Sequence, residues 1–142
     1  MKRRGRLDFR ANLQAALAVL ERINSQLARL GSEEDRSAME LGLAEVLTNI
    51  VRHGYGGEPG RIRVRWSAEP QAIRMWVCDL GRPIPPGSIE LAASTVFDFD
   101  TTGVPDLPER GLGLALVHRV FHGVRYRSRG GVNRLSLVRR LH

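Results

Sequence analysis

The sequence predicts an α/β sandwich in which helices cover one face of a mostly antiparallel mixed sheet. Two observations predict it. Apolar residues recur at helical spacing in the first third of the chain, and they alternate with arginines at period two in later segments. The length of 142 residues suits one domain, which we take as residues 1–142, and suffices to bury a core without disulfides.

The composition excludes several classes of protein. Hydrophobic residues make up 42% and charged residues 26%, as in globular rather than disordered chains. No apolar run approaches the ~20 residues of a membrane span. The basic N-terminus lacks the apolar block of a signal peptide, and the single Cys78 excludes an internal disulfide. We therefore expect a cytoplasmic protein without membrane association.

The first third of the chain predicts one strand and two helices. Residues 6–10 form the strand, Asn12 caps the first helix and Gly31 ends it. Its apolar residues are Leu13, Ala16, Leu17, Leu20, Ile23, Leu27 and Leu30. Ser32 begins the second helix, which has acidic residues in its first turn and runs to about His53.

The remaining two thirds predict two hairpins separated by a loop and a helix. Residues 61–66 alternate arginine with apolar side chains. After a turn at Glu69-Pro70, Ile73, Met75 and Val77 alternate with Arg74 and Trp76. Residues 81–108, rich in proline, glycine and aspartate, read as a long loop, which is uncommon unless functional. A short helix over 111–121 and a hairpin of residues 124–129 and 132–139 follow.

Arginines dominate the predicted exposed face of the sheet and account for much of the net charge of +7. We call this surface the arginine face; it comprises Arg61, Arg63, Arg65, Arg74, Arg125, Arg127 and Arg129. No recognition helix, zinc finger or stacking platform accompanies these residues. The pattern therefore favours a solvated sheet face over direct nucleic-acid binding.

Three polar side chains line up along the second helix. Glu45, Asn49 and His53 are spaced four residues apart, so they stack on the side opposite the apolar stripe. Gly42 lies one turn earlier and is expected to leave that side bare. Glu45 could act as a general base, and Asn49 could offer a neutral oxygen to Mg²⁺. An ordinary solvated face explains the spacing equally well.

Two further features point to a ligand. Period two directs Asp79 toward the core at a strand end, where a buried carboxylate needs a donor from the protein or from a ligand such as adenine. Gly111 and Gly113 open a helix, where backbone N–H groups and the helix dipole favour phosphate. A plain loop–helix junction is the simpler interpretation of these glycines.

Taken together, these segments resemble the nucleotide-binding boxes of the GHKL ATPase superfamily, whose domain has the Bergerat fold. Residues 45–55, from Glu45 to Tyr55, look like its N box, Asp79-Leu80-Gly81 like its first glycine box, and residues 110–114 like its second. The short size and the Glu-x3-Asn-x3-His-Gly-Tyr form are most similar to the anti-sigma serine/threonine kinase branch. The resemblance covers residues 7–141.

The resemblance implies a protein kinase that uses ATP and Mg²⁺. Such a protein would phosphorylate a small anti-anti-sigma partner of the STAS type, sequester a sigma factor, and by analogy form a homodimer. Glu45 would be the catalytic base, Asn49 the metal ligand, and Asp79 the reader of the adenine amino group. Residues 82–110 would form the ATP lid. The remaining nucleotide-binding positions would be His53, Gly81, Arg110, Gly111 and Gly113.

Two positions depart from the family pattern. Pro83 replaces the second glycine of DxGxG, and Val132 stands where the family's strand carries an adenine-site threonine. Asn133 or a water is a candidate substitute for that hydroxyl. With these departures, an alternative function is a nucleotide-gated binding module that sequesters a partner without phosphorylating it. A histidine kinase catalytic domain and a nucleic-acid-binding protein are two further candidates.

Overall fold

A computed structural model describes residues 3–93 and 109–142 of the chain. Its five strands form one sheet in the order β1-β2-β3-β5-β4, and every neighbouring pair runs antiparallel. The strands are β1 Arg3–Arg10, β2 Arg61–Ala68, β3 Ala72–Asp79, β4 Gly123–Arg129 and β5 Val132–Arg140. The described helices are α1 Leu13–Leu27, α2 Glu33–Asn49, α3 Ser88–Ala93 and α4 Glu109–Val120, with a π-helical turn Ile50–Gly54 after α2.

The core lies between one face of the sheet and the helices, as predicted. Inward residues of β2, β3 and β5 alternate with exposed ones and pack against the apolar sides of α1, α2 and α4. The largest fully buried apolar side chains are Ile23, Leu43, Leu47, Ile62, Ile73, Met75 and Leu137. Helices on a single face of an antiparallel sheet leave the opposite face to solvent.

Helix α1 begins at the predicted N-cap. Two of the leucines in its predicted apolar stripe are exposed. The Ala15 N–H donates to Asn12 Oδ1 at 2.7 Å, which confirms the N-cap. Leu13 and Leu17 are 42% and 66% exposed, because the side of α1 that packs against the core is rotated away from them. Those buried residues are Ala16, Val19, Leu20, Ile23 and Leu27.

Helix α2 starts at a capping box formed by Ser32 and Asp35. The expectation that Gly42 leaves its side of the helix bare is wrong. A Cβ on Gly42 would lie 2.4 Å from Val120 Cγ2 and 2.6 Å from Phe121 Cε2. Gly42 is therefore the position at which α2 packs closely against the end of α4.

The segment predicted as one long loop, residues 81–108, contains a helix. Six residues, Ser88–Ala93, form α3, and residues 94–108 lie outside the described part of the chain. The proposed lid over 82–110 is therefore described only at its two ends. Strand β1 begins at Arg3, three residues before the predicted start, because it pairs with β2 along that strand's full length.

The arginine face is exposed as predicted: all seven of its arginines lie on the solvent side of the sheet. Cys78 lies on the same side and is half-buried. Within the described residues, no helix has both the length and the apolar character needed to cross a bilayer.

A buried ion pair between Asp35 and Arg139 connects α2 to β5. Asp35, fully buried, accepts from Arg139 Nη2 at 2.8 Å and Nε at 3.1 Å. The backbone N–H groups of Ser32 and His142 donate to its other oxygen. Arg139 Nη1 also donates to the Val120 carbonyl at 2.7 Å, so the same guanidinium holds the end of α4. Each polar group of the pair thus has a partner, as a buried charge requires.

Candidate functional site

A pocket opens between the end of α2, the end of β3 and α4. It brings together three of the polar residues predicted from sequence, Asn49, His53 and Asp79. The other lining residues are Val46, Ile50, Gly54, Arg82, Pro83, Ile84, Leu114, Tyr126 and Leu135. The π-helical turn contributes His53 and Gly54, and such turns are frequent at functional sites. Polar groups thus converge on a mainly apolar cleft, which is typical of a small-molecule site.

Asp79 provides the buried carboxylate of this pocket. It is 7% exposed, and its Oδ1 accepts from the Gly81 N–H and from Asn133 Nδ2, both at 2.9 Å. Burial raises the pKa of Asp79, and these two hydrogen bonds oppose the rise. Neither reaches Oδ2, which has no protein partner among the described residues. Oδ2 is therefore free to accept an N–H from a ligand.

Asn133 is the hydrogen-bond partner of Asp79, a role that the sequence did not reveal. It lies opposite Asp79 in the β3–β5 register and is 2% exposed. Its amide donates to Asp79 Oδ1 at 2.9 Å and to the Gly81 carbonyl at 2.8 Å, and its Oδ1 accepts from Ser128 Oγ at 2.7 Å. Asn133 therefore orients Asp79. No local signal in the sequence indicates this pairing, because β3 and β5 are neighbours in the sheet but not consecutive in the chain.

The backbone at Gly81 passes very close to the end of the π-helical turn. A Cβ on Gly81 would lie 2.6 Å from both the carbonyl carbon and the oxygen of Gly54. The Arg82 N–H donates to that same oxygen at 2.6 Å. Only glycine permits this approach, which joins the N-box segment to the segment that follows Asp79.

Gly81→Ala should lower the free energy of unfolding by about 1–3 kcal/mol, because rigid backbone must move to admit the methyl group. Urea denaturation measures the change. Gly54→Ala is the matched control, since its Cβ would meet nothing nearer than 3.5 Å. Equal losses in the two variants would contradict the close approach at Gly81.

The side chain of Glu45 packs against α4 and does not line the pocket. A Cβ on Gly113 would lie 2.9 Å from Glu45 Oε2, so the missing side chain makes room for the carboxylate. Glu45 is half-buried, whereas a residue on a purely solvated face would be exposed. Tertiary packing thus brings Glu45 beside the glycine-rich start of α4. The side chain of Arg110 and the surroundings of Gly111 lie outside the described part of the chain.

The pocket is narrow in this structure. Its volume is about 20 Å³, room for roughly one water molecule. The segment that closes it is held by a hydrogen bond of 2.9 Å from the Ile84 N–H to the Tyr126 hydroxyl. A larger ligand therefore requires the pocket to widen, and residues 82–84, the described beginning of the proposed lid, form part of its lining.

Tyr55 is a second position whose role was not predicted. Its hydroxyl donates to the Arg61 carbonyl at 2.5 Å and accepts from the Leu80 N–H at 2.8 Å. A Cβ on Gly60 would overlap its ring. Tyr55 thus joins the start of β2 to the end of β3 and fixes the backbone beside Asp79.

The chain is similar in sequence to known proteins. The chain is 28% identical over 92 residues to the serine-protein kinase RsbW of Bacillus mycoides, over 64% of this chain and 56% of that protein. It is 29% identical over 92 residues to the phosphate regulon sensor protein PhoR of Pseudomonas aeruginosa, over 63% and 20%. The chain therefore spans about half the length of the RsbW relative.

Solved structures share the fold. The RsbU and RsbW domains of Rv1364c from Mycobacterium tuberculosis align with a TM-score of 0.65 and 20% identity, over 96% of this chain and 32% of that one. The mycobacterial sensor histidine kinase MprB aligns with a TM-score of 0.53 and 21% identity, over 97% and 99%. The model of one family, described as the histidine kinase-like ATPase domain, matches residues 9–139. This match covers most of the chain, and the chain therefore belongs to the histidine kinase-like ATPase domain family.

Proposed function

We propose that this protein is an ATP-dependent serine/threonine protein kinase that acts as an anti-sigma factor. It would phosphorylate a STAS-type anti-anti-sigma antagonist and sequester a sigma factor, as a cytoplasmic partner switch built on one ATPase domain over residues 1–142. The similarity to the serine-protein kinase RsbW supports this branch of the family. The observation that carries the proposal is Glu45 beside Gly113, next to a pocket that contains Asn49 and Asp79.

Asp79 and the glycines would hold the nucleotide. The free Oδ2 of Asp79 accepts the exocyclic N–H of adenine, and Asn133 keeps the carboxylate in place. Gly81 and the glycine-rich start of α4 give the backbone room to approach, and the N-terminus of α4 favours the phosphates. His53 lines the same cleft, and Arg110 would reach the terminal phosphate.

Asn49 would hold Mg²⁺. Among the described residues no group of three histidine, cysteine or acidic side chains could bind a metal by itself. Magnesium usually keeps several waters and is shared between a few protein oxygens and substrate phosphates, so a single amide oxygen fits this mode. When bound, the ion neutralises charge on the phosphates.

Glu45 would accept the proton of the substrate hydroxyl. The serine or threonine oxygen forms a bond to the γ-phosphorus of ATP, the bond from that phosphorus to the ADP oxygen breaks, and the hydroxyl proton passes to Glu45. The half-buried position of Glu45 against α4 restricts its rotamers and thereby orients it for this transfer.

A second candidate function is a nucleotide-gated binding module without kinase activity. It is favoured by Val132, which is 45% exposed and offers no hydroxyl, and by Pro83 in the pocket lining. Incubation with γ-labelled ATP and a purified STAS-domain antagonist from the same genome distinguishes the two. Transfer of label to a serine or threonine supports the kinase. Nucleotide-dependent complex formation without transfer supports the binding module.

Asp79→Asn should weaken ATP binding by about 10–100-fold, because it removes a charged hydrogen bond worth about 1.5–3 kcal/mol. Titration calorimetry measures the affinity. The melting temperature should not fall: burial raises the pKa of Asp79, so its ionised form costs stability at neutral pH, and asparagine removes that cost. Asp8→Asn, on the opposite face of the sheet, should leave the affinity unchanged. Unaltered ATP binding in Asp79→Asn would remove Asp79 from the site.

A further inference from the structure

The arginine face contains more arginines than the seven predicted from the sequence. Arg4, Arg6, Arg10, Arg134 and Arg140 are also exposed on this side of the sheet. Asp8 is the single acidic strand residue described on this face, and it is already paired, with Arg63 at 2.6 Å and with Arg6 at 3.4 Å. The other charged side chains of the strands on this face are all arginines, and Glu69, in the turn after β2, lies at its edge.

The strand register places like charges directly opposite one another. Arg6 faces Arg65, and Arg10 faces Arg61, between β1 and β2. Arg127 faces Arg134 between β4 and β5. Like charges directly opposite in a sheet are destabilising, whereas opposite charges would stabilise it. This arrangement works against the stability of the isolated fold, and an anionic partner would relieve the repulsion.

An aromatic side chain lies at the centre of the arginine face. Trp76 is half-buried on β3, the middle strand, and the guanidinium of Arg65 lies 5.5 Å from its ring centroid. Concavities of about 630 and 490 Å³ flank it. Ser67 lines the first, and its hydroxyl is buried without a hydrogen-bond partner in the described part of the chain. Arg125 and His122 line the second.

We propose that the arginine face is a docking surface for an acidic protein surface, with an apolar side chain of that partner seated against Trp76. Tryptophan and arginine dominate the binding energy of protein interfaces, and lysine is depleted there. All of the bases on this face are arginines. The surface lies on the opposite side of the sheet from the pocket of Asp79, so this proposal does not depend on the proposed kinase function.

The arrangement fits a protein better than a nucleic acid. Platforms for single strands stack successive bases on several aromatic rings. On the described part of this face Trp76 is the single aromatic residue of the strands, and Arg65 already lies over it. Reading a duplex requires a helix or a two-stranded ribbon that enters a groove, whereas here a sheet of five strands presents its face.

Labelled oligoglutamate, the same peptide with one central phenylalanine, oligoglutamine and a short DNA duplex serve as probes. Fluorescence anisotropy at about 0.15 M salt measures binding, because that ionic strength screens charges beyond about 8 Å. We expect the oligoglutamates to bind, the phenylalanine to strengthen binding, and oligoglutamine not to bind. The phenylalanine should give no advantage in Trp76→Ala.

Arg127→Glu should weaken oligoglutamate binding by about tenfold without lowering the melting temperature, since it converts a repulsive pair with Arg134 into an attractive one. Arg29→Glu, exposed in the segment that follows α1, makes the same charge change away from this face and should have little effect. Equal weakening in both variants would overturn the proposal. Tighter binding of the duplex than of either oligoglutamate, lost in Arg127→Glu, would replace it with a nucleic-acid surface.

Discussion

Glu45→Gln should slow phosphoryl transfer to a serine or threonine substrate by about 10²–10⁴-fold, the usual contribution of a general base. Glutamine keeps the size of the side chain that fills the space left by Gly113, so the packing of α2 on α4 should persist. Single-turnover transfer from γ-labelled ATP measures the rate, and titration calorimetry should give an unchanged ATP affinity.

Glu40→Gln provides the matched control on the same helix. Glu40 is exposed and lies more than a turn away from Glu45, so its replacement should not alter the rate. Near wild-type transfer in Glu45→Gln would mean that another group accepts the proton or that no base is needed. Loss of ATP binding in the same variant would instead assign Glu45 to the nucleotide site.

Asp35→Asn should lower the free energy of unfolding by about 3–5 kcal/mol, the usual cost of removing one partner of a buried ion pair. The change leaves the guanidinium of Arg139, itself 7% exposed, without its counter-charge. Urea denaturation at neutral pH measures the loss. Asp8→Asn breaks the exposed pair with Arg63 and should cost no more than about 1 kcal/mol.

The effect of Asp35 should depend on pH in a defined direction. Burial alone would raise the pKa of Asp35, but hydrogen bonds from the backbone N–H groups of His142 and Ser32, from the His142 ring and from Arg139 outweigh it and hold the pKa far below its usual range. The stabilisation is therefore complete above the unfolded pKa of about 3.9 and is lost progressively as the pH falls below it. The stabilities of wild type and Asp35→Asn should converge in acid. A difference that stays constant would contradict this account.

A double substitution distinguishes the contribution of the ion pair to stability from that of the surrounding packing. Replacing Asp35 and Arg139 together by leucine and methionine removes both charges and retains apolar volume, and such exchanges are often neutral or stabilising. The double variant should therefore be more stable than Asp35→Asn. If it is less stable, the hydrogen bonds that Asp35 accepts from the Ser32 and His142 N–H groups and that Arg139 donates to the Val120 carbonyl together contribute more than the ion pair.

Much of the secondary structure could be predicted because its determinants are local. The caps at Asn12 and Ser32 act on N–H groups three residues away, and the alternation in β2 and β3 directly records which side of a strand is buried. The inward orientation of Asp79 follows from the same alternation. The spacing of Asn49 and His53 likewise predicts that they lie on one side, and both line the pocket. For these features the sequence was sufficient.

Long-range packing, in contrast, selects which distant groups meet. Asn133 supports Asp79 across a separation of 54 residues, and Arg139 pairs with Asp35 across 104. Such contacts depend on strand register and helix packing, which a local pattern does not encode. The exposure of Leu17 and the burial of Gly42 against α4 have the same origin, because a helical stripe specifies a side of the helix but not what covers it. Local patterns were thus enough to specify the elements and the candidate residues, whereas the three-dimensional packing placed Glu45 beside Gly113 and closed the pocket around Asp79.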